Sequence, residues 1–247
     1  MYIKRLTYFD RQESAGHCIT RVPEVMADAA KKAKRAVMKL YQCPMYRSFR
    51  CMWLIHELDA VDDFEIVKLD SIKGKDTEAY EEYKRSVHPH GTIPALQTEG
   101  EGAIIESGAI CLYLADRYGK LAPPLGQRMD YYDWALYASV TIDEAMELLY
   151  WQWAVTPEKP DPQGVDKMVT KMDTCMKRLT KTLEGRQYVC GDSLTAVDCI
   201  LGYSVWAATD DMFNKGSLLK DYPEVRDYVK RLEQRSAFKM ALKAQFQ

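Results

Sequence analysis

Residues 37–58 read VMKLYQCPMYRSFRCMWLIHEL. Val37–Tyr41 is a short apolar run of the length of a buried strand, and Ser48–Leu58 carries its apolar residues at helical spacing. Cys43-Pro44 stands between them. A cysteine that leaves a strand and meets the head of a helix feels the positive end of the helix dipole and unsatisfied backbone N–H groups, and both favour thiolate over thiol. Pro44 suits the first turn of that helix, where its missing N–H costs nothing. Arg47 and Arg50 add positive charge nearby. A buried packing cysteine is the ordinary alternative; the order strand, Cys-Pro, helix is what distinguishes Cys43 and makes it a candidate nucleophile.

Outward from this block the chain alternates. Phe64–Leu69 (FEIVKL) reads as a second strand and Asp76–Val87 as a charged helix with Tyr80 and Tyr83 on one side. Thr92–Gln97 (TIPALQ) and Ala103–Ile105 read as two short strands joined by the turn TEGEG. Glu106–Tyr118 (ESGAICLYLADRY) is a strong helix with Gly119 as its C-cap. The order β-α-β-α-β-β-α predicts a parallel pair joined to an antiparallel hairpin, with helices covering the sheet. Leu121–Gln127 (LAPPLGQ) is the linker, because Pro123-Pro124 stops any helix.

Everything after the linker reads helical. Trp134, Ala138, Ile142, Ala145 and Leu149 form one buried stripe, and Val165, Met168, Met172, Met176, Leu179 and Leu183 form a second. Thr156–Pro162 separates them. Thr195–Thr209 is apolar enough for the centre of a bundle, and Pro223–Leu232 and Ala237–Ala244 close the chain. Residues 1–35 lack sustained periodicity and end in a charged stretch from Glu24, EVMADAAKKAKRA, read as an extension with a solvated helix face. The expected division is therefore an extension over 1–35, a small α/β domain over 36–122 and an all-helical domain over 127–247.

The chain has 247 residues, 47% hydrophobic and 28% charged, which excludes disordered and low-complexity classes. A net charge of −2 argues against a dedicated nucleic-acid binder. No apolar run approaches the roughly 20 residues that span a bilayer, so no membrane partner is expected. The seven cysteines include no Cys-x-x-Cys pair, and the four histidines show no zinc-like spacing with them, so no metal is expected. With no apolar leader at the start, a reducing, cytoplasmic setting is the expectation.

Two further features carry chemistry. Pro94 interrupts a strand-like run, which points to an edge or strand start whose backbone is open to an extended ligand. Glu106-Ser107 heads a helix, where free N–H groups and the dipole favour an anion and the serine hydroxyl adds a donor.

Taken in this order, KLYQCPMYRSFRCMWLIHEL, HPHGTIPAL and AIIESGAICLYLADRYGKLAPP resemble the thioredoxin-like N-terminal domain of the cytosolic glutathione transferase superfamily. In the helical half, Gly191–Asp198 (GDSLTAVD) resembles the family's buried capping box, with Thr195 and Asp198 at N-cap and N3. The tail PEVRDYVKRLEQRSAF resembles the closing helices of bacterial-type members. The resemblance covers everything after the extension.

It implies an α/β thioredoxin-like domain followed by an all-α domain. It also implies glutathione as cosubstrate and, commonly, a homodimer. Pro94 would be a cis-proline with Ile93 pairing to the cysteinyl part of glutathione. Glu106 and Ser107 would hold the γ-glutamyl end, and Met45 and Thr92 would complete the glutathione contacts. Cys43 falls where omega-class and glutaredoxin-like members keep a Cys-Pro nucleophile, which implies thiol transfer or reductive deglutathionylation. Tyr46 and Ser48 lie close to positions that other members use to activate glutathione for conjugation, and non-catalytic members also exist. The family's Asn-Pro is replaced by His88-Pro89; His88 and His90 read as loop residues, with a contact of His90 to the glutathione edge as the alternative. Lys73 or Lys75 would grip the glycyl carboxylate. A second-substrate pocket between the domains would draw on the aromatic surface of Tyr131, Tyr150 and Trp151 and above all on Trp134, Tyr137 and Trp206, and would take a hydrophobic or disulfide substrate.

Overall fold

The structure, a computed structural model, describes residues 37–69, 77–155, 158–159 and 161–245. The extension, with its charged stretch, and Lys73 and Lys75 lie outside the described residues, as does Asp76.

Four strands form one mixed sheet in the order β2-β1-β3-β4: β1 (Met38–Gln42), β2 (Phe64–Lys68), β3 (Ala95–Thr98) and β4 (Gly102–Ile104). β1 pairs parallel with β2, Met38 opposite Phe64, and antiparallel with β3, Tyr41 opposite Ala95. β1 alternates because the two faces of the sheet bury different partners. Met38 and Leu40 pack with α1 (Ser48–Glu57) and α3 (Ser107–Tyr118). Tyr41, on the other face, packs with Tyr80, Tyr83 and Val87 of α2 (Glu78–Ser86) and the residue following it. This is the expected α/β layer.

Two local expectations change. The strand over Thr92–Gln97 begins only at Ala95, because Pro94 has no N–H to give to the ladder. That strand is interior, between β1 and β4, so Pro94 stands at a strand start and not on an edge. Pro44 is not in the first turn of a helix. α1 starts at Ser48, and Cys43–Tyr46 makes a separate turn in which Met45 takes φ +64°.

The remaining helices are α4 (Met129–Leu136), α5 (Asp143–Tyr150), α6 (Pro162–Leu183), α7 (Ala196–Ala207), α8 (Pro223–Glu233) and α9 (Ser236–Ala244). A π-helical turn, Tyr137–Ile142, joins α4 to α5, and another, Trp151–Val155, follows α5. Both predicted stripes are buried throughout. α6 opens with Pro162 at its head and the Asp161 side chain accepting the Gln163 N–H.

α7 is the central helix, buried on nearly every side. Gly202 lets it meet its neighbours closely: a Cβ there would lie 2.6 Å from Leu232 and 3.1 Å from the Trp53 ring of α1. The capping box at its head is present. The Asp198 carboxylate accepts the N–H groups of Thr195 (2.8 Å) and Val189 (3.0 Å) and the Tyr228 hydroxyl (2.9 Å). Three segments of the chain thus converge on one buried carboxylate whose lone pairs are filled, the condition under which burial is tolerated.

Candidate active site

The end of β1, the start of β3 and the end of β4 lie at the same edge of the sheet, because β3 runs antiparallel to both of its neighbours. Continuing the β1–β3 register past Tyr41–Ala95 brings Cys43 opposite Ile93-Pro94. The chain leaving β4 passes through Ile105 to Glu106 and Ser107 at the head of α3. The sheet topology therefore gathers Cys43, Ile93-Pro94 and Glu106-Ser107 at one edge.

Cys43 is buried and in no disulfide. Ser48, the first residue of α1, staples it from both sides: the Ser48 hydroxyl accepts the Cys43 N–H (3.2 Å) and donates to the Cys43 carbonyl (2.7 Å). Cys43 is thereby kept beside the head of α1 although the helix starts five residues later. Ser48 is fully buried, and its one proton is given to the Cys43 carbonyl.

Tyr46 is exposed at the turn, near Tyr150. Burial first, and then the Tyr46 phenol, raise Tyr150 above the ordinary tyrosine range. Both backbone groups of Met45 are engaged, its N–H by Gln245 and its carbonyl by Tyr203, and its side chain is exposed. Among the other described cysteines, burial pushes Cys51 and Cys199 well above the ordinary thiol range and Cys175 above it, and burial with the Asp198 charge pushes Cys190 up to about 12.

The Ile93-Pro94 peptide is cis. The approach to it is held by α2: Tyr80 donates to the Gly91 carbonyl and Tyr83 to the Thr92 carbonyl, each at 2.6 Å. Gly91, at φ +62°, fills the tight space under Tyr80, where a Cβ would come within 2.5 Å of the phenol oxygen. His88 is buried in this turn. Its Nδ1 accepts the His90 N–H (3.3 Å) and its Nε2 meets the Thr92 hydroxyl (2.8 Å), so it ties the turn together from within. Burial, and then His90, lower the pKa of His88, so its imidazole is neutral at pH 7. His90 is exposed.

Glu106 is the N-cap of α3, exposed, with no capping bond from its side chain. Its carboxylate is available to a cation. Ser107 is buried and accepts from the fully buried Arg50 (3.1 Å). Arg50 continues to Asp143 (2.7 Å) and Ser204 (2.6 Å), and Arg47 reaches the same carboxylate from the surface (3.2 Å). Burial opposes the Arg50 charge, and Asp143 outweighs that and holds the guanidinium above its ordinary pKa. The two arginines of the Cys-Pro block thus point away from Cys43, into a network joining α1, α3, α5 and α7. The spacing of the sequence held no signal for this network, whose members lie up to 154 residues apart.

The aromatics expected at the second-substrate pocket, Trp134 and Tyr137 first, have partners of their own. These two clasp Arg178 of α6 (4.4 and 4.1 Å to the ring centres), and the Tyr137 hydroxyl donates to Cys175 (3.2 Å). Trp206 is packed between Phe49 and Phe238 and donates to Glu233 (3.0 Å). The aromatic surface at the Cys43 turn is Tyr46 with Tyr150, whose ring lies 6.1 Å from Phe213. Among the described residues no group of three or more His, Cys, Asp or Glu side chains is arranged to hold a metal ion. No helix among them is long and apolar enough to cross a membrane.

With this geometry, residues 36–116 match the glutathione S-transferase N-terminal domain and residues 147–245 the glutathione S-transferase C-terminal domain. The chain belongs to the glutathione transferase superfamily. A Streptococcus mutans protein described as an uncharacterized GST-like protein is 25% identical over 181 residues, covering 65% of this chain and 64% of its own length. A glutathione transferase family member from Pseudomonas fluorescens, solved with two glutathione bound, superposes with TM-score 0.75 at 20% identity over 87% of this chain and 96% of its own. A Pseudomonas putida glutathione transferase, solved with one glutathione disulfide per subunit, gives TM-score 0.74 at 20% identity over 91% and 99%.

Proposed function

We propose that the chain is a glutathione-dependent thiol transferase in which Cys43 is the nucleophile. The observation that carries this reading is the pair of hydrogen bonds between the Ser48 hydroxyl and the Cys43 backbone, which keeps one cysteine beside the head of α1, opposite Ile93-Pro94. Of the other two sulfur-activating candidates, Ser48 gives its one proton to the Cys43 carbonyl. Glutathione would lie along Ile93-Pro94, its γ-glutamyl ammonium toward Glu106 and its carboxylate toward Ser107 and the N–H groups heading α3.

In this cycle the Cys43 thiolate attacks the glutathione sulfur of a mixed disulfide RS–SG. The Cys43–SG bond forms, the RS–SG bond breaks, and RS⁻ leaves and takes a proton. A second glutathione thiolate then attacks the glutathione sulfur on Cys43, which returns the Cys43 thiolate and yields glutathione disulfide. The net reaction is RS–SG + GSH → RSH + GSSG. Tyr46, Tyr150 and Phe213 would receive the R group, which favours aromatic or apolar thiols. Intact mass and peptide mapping after exposure to glutathione disulfide test the first step: a single glutathione on Cys43 is expected, and modification elsewhere with Cys43 untouched overturns it.

We further propose a homodimer through α4. Met129, Tyr132, Leu136 and Val140 recur at three- and four-residue intervals along α4 and the π turn after it, and all are exposed, Leu136 and Val140 at 64% each. A solvent-facing apolar stripe of this kind marks an interaction face. Light scattering is expected to give twice the chain mass, with Leu136→Glu shifting it to one; a wild-type monomer would refute the assignment.

A further inference from the structure

The last helix runs back along the first. At one end Arg235, just before α9, makes a two-point ion pair with Glu57 at the foot of α1 (2.6 and 2.7 Å). Midway, Phe238 sets its ring edge-on to Phe49 and Trp53, with centroids 5.0 Å away in each case. At the other end Gln245, just past α9, reaches the turn that precedes α1.

There the Gln245 Oε1 accepts the Met45 N–H at 2.6 Å, across 200 residues of sequence. From α7, the Tyr203 hydroxyl donates to the Met45 carbonyl at 2.9 Å. Burial pushes the Tyr203 phenol up to about 12, so it keeps the proton it donates. Met45 needs such holding. Its φ of +64° is a left-handed conformation that a side chain with a Cβ disfavours. The turn's own Tyr46 N–H to Cys43 carbonyl bond is long, at 3.4 Å, and is a weak lock by itself. Gln245 is also an expensive residue at this position, since it is buried and its Nε2 has no partner among the described residues. A half-satisfied buried amide is a poor choice for stability alone, and backbone strain held from outside is characteristic of working sites.

We propose that Gln245 and Tyr203 are positioning residues for the Cys43–Tyr46 turn, clamping both peptide groups of Met45 so that Cys43 and Tyr46 face bound glutathione in one geometry. The proposal rests on Cys43 as the nucleophile, and the test separates the two.

Gln245→Met keeps the length of the side chain and removes the acceptor. In the full chain it is expected to speed hydrogen exchange at the Met45 amide by about 10-fold or more. For reduction of a small glutathione mixed disulfide, kcat should fall about 10-fold while KM for glutathione stays within about 2-fold. Met45→Gly needs no clamp, so in that background Gln245→Met should change kcat by less than about 2-fold. Tyr203→Phe, which removes the donor on the opposite side, should show the same dependence on Met45. An unchanged Met45 exchange rate in Gln245→Met overturns the proposal. So does a loss of kcat that is the same with Met45 intact as in the Met45→Gly background, since that is the pattern of a merely structural residue. If Cys43→Ala retained full turnover, the nucleophile assignment would fail, and the exchange measurement would still decide the clamp.

Discussion

Cys43→Ala is expected to lower kcat for thiol transfer by about 10³-fold or more, because the reaction then has no sulfur on which to carry glutathione. Glutathione affinity measured by calorimetry should stay within about 2-fold, since the proposed binding groups, Ile93-Pro94 and Glu106-Ser107, belong to other elements. Cys43→Ser should fail equally, because an alcohol forms no mixed disulfide. Ser48→Ala separates positioning from chemistry: it deletes both staples of the Cys43 backbone and leaves the thiol in place. About 10-fold of kcat should be lost there, with glutathione still mapping to Cys43. The decisive contrary result is a Cys43→Ala enzyme that keeps more than a tenth of its turnover. In that case Tyr46→Phe becomes the informative variant, with conjugation to an aromatic electrophile as the readout.

The fold was legible in the sequence because its signals are local. Apolar runs of strand length, two helical stripes, Gly119 as a C-cap and the Thr195–Asp198 box each act within a few residues, and each appears where its pattern indicated. Cys43, Pro94, Glu106 and Ser107 were legible for a related reason: each stands at the end of an element, and the sheet order brings those ends to one edge. What escaped is what depends on partners far along the chain. Arg50 reads as positive charge near Cys43, yet it is fully buried and turned to Asp143 and Ser204, which arrive from two other helices. For Trp134 and Tyr137, Arg178 of α6 is a further long-range partner that the spacing does not show. Pro44 reads as a helix opener. A left-handed Met45 shifts the helix start to Ser48, and methionine carries no signal for that conformation, which is imposed by Gln245 and Tyr203.

Arg50→Met is expected to destabilise the chain by about 3 kcal/mol, the lower part of the range for breaking a buried ion pair. The variant matches the arginine stem in length and strands the Asp143 carboxylate, which still receives the Ser204 hydroxyl (2.8 Å) and the half-exposed Arg47 (3.2 Å). Those remaining partners are why the cost falls short of that for an isolated charge. For a chain of this size the loss corresponds to a Tm lower by roughly 6–12 °C. The same substitution removes the Arg50 donor from the Ser107 hydroxyl at the head of α3, so glutathione affinity should weaken together with stability. Asp143→Leu alone leaves the opposite charge stranded and should cost at least as much, since Arg50 is fully buried. The double variant Arg50→Met/Asp143→Leu is the discriminating one. With both charges gone no desolvated ion is left uncompensated, and apolar side chains of similar volume fill the space between α1, α5 and α7. Its stability should therefore exceed that of either single variant, although glutathione binding should remain weak because Ser107 still lacks its donor. If the two single losses simply add, Arg50 and Asp143 are not energetically coupled, and the buried network is not what joins the sheet layer to the helical bundle.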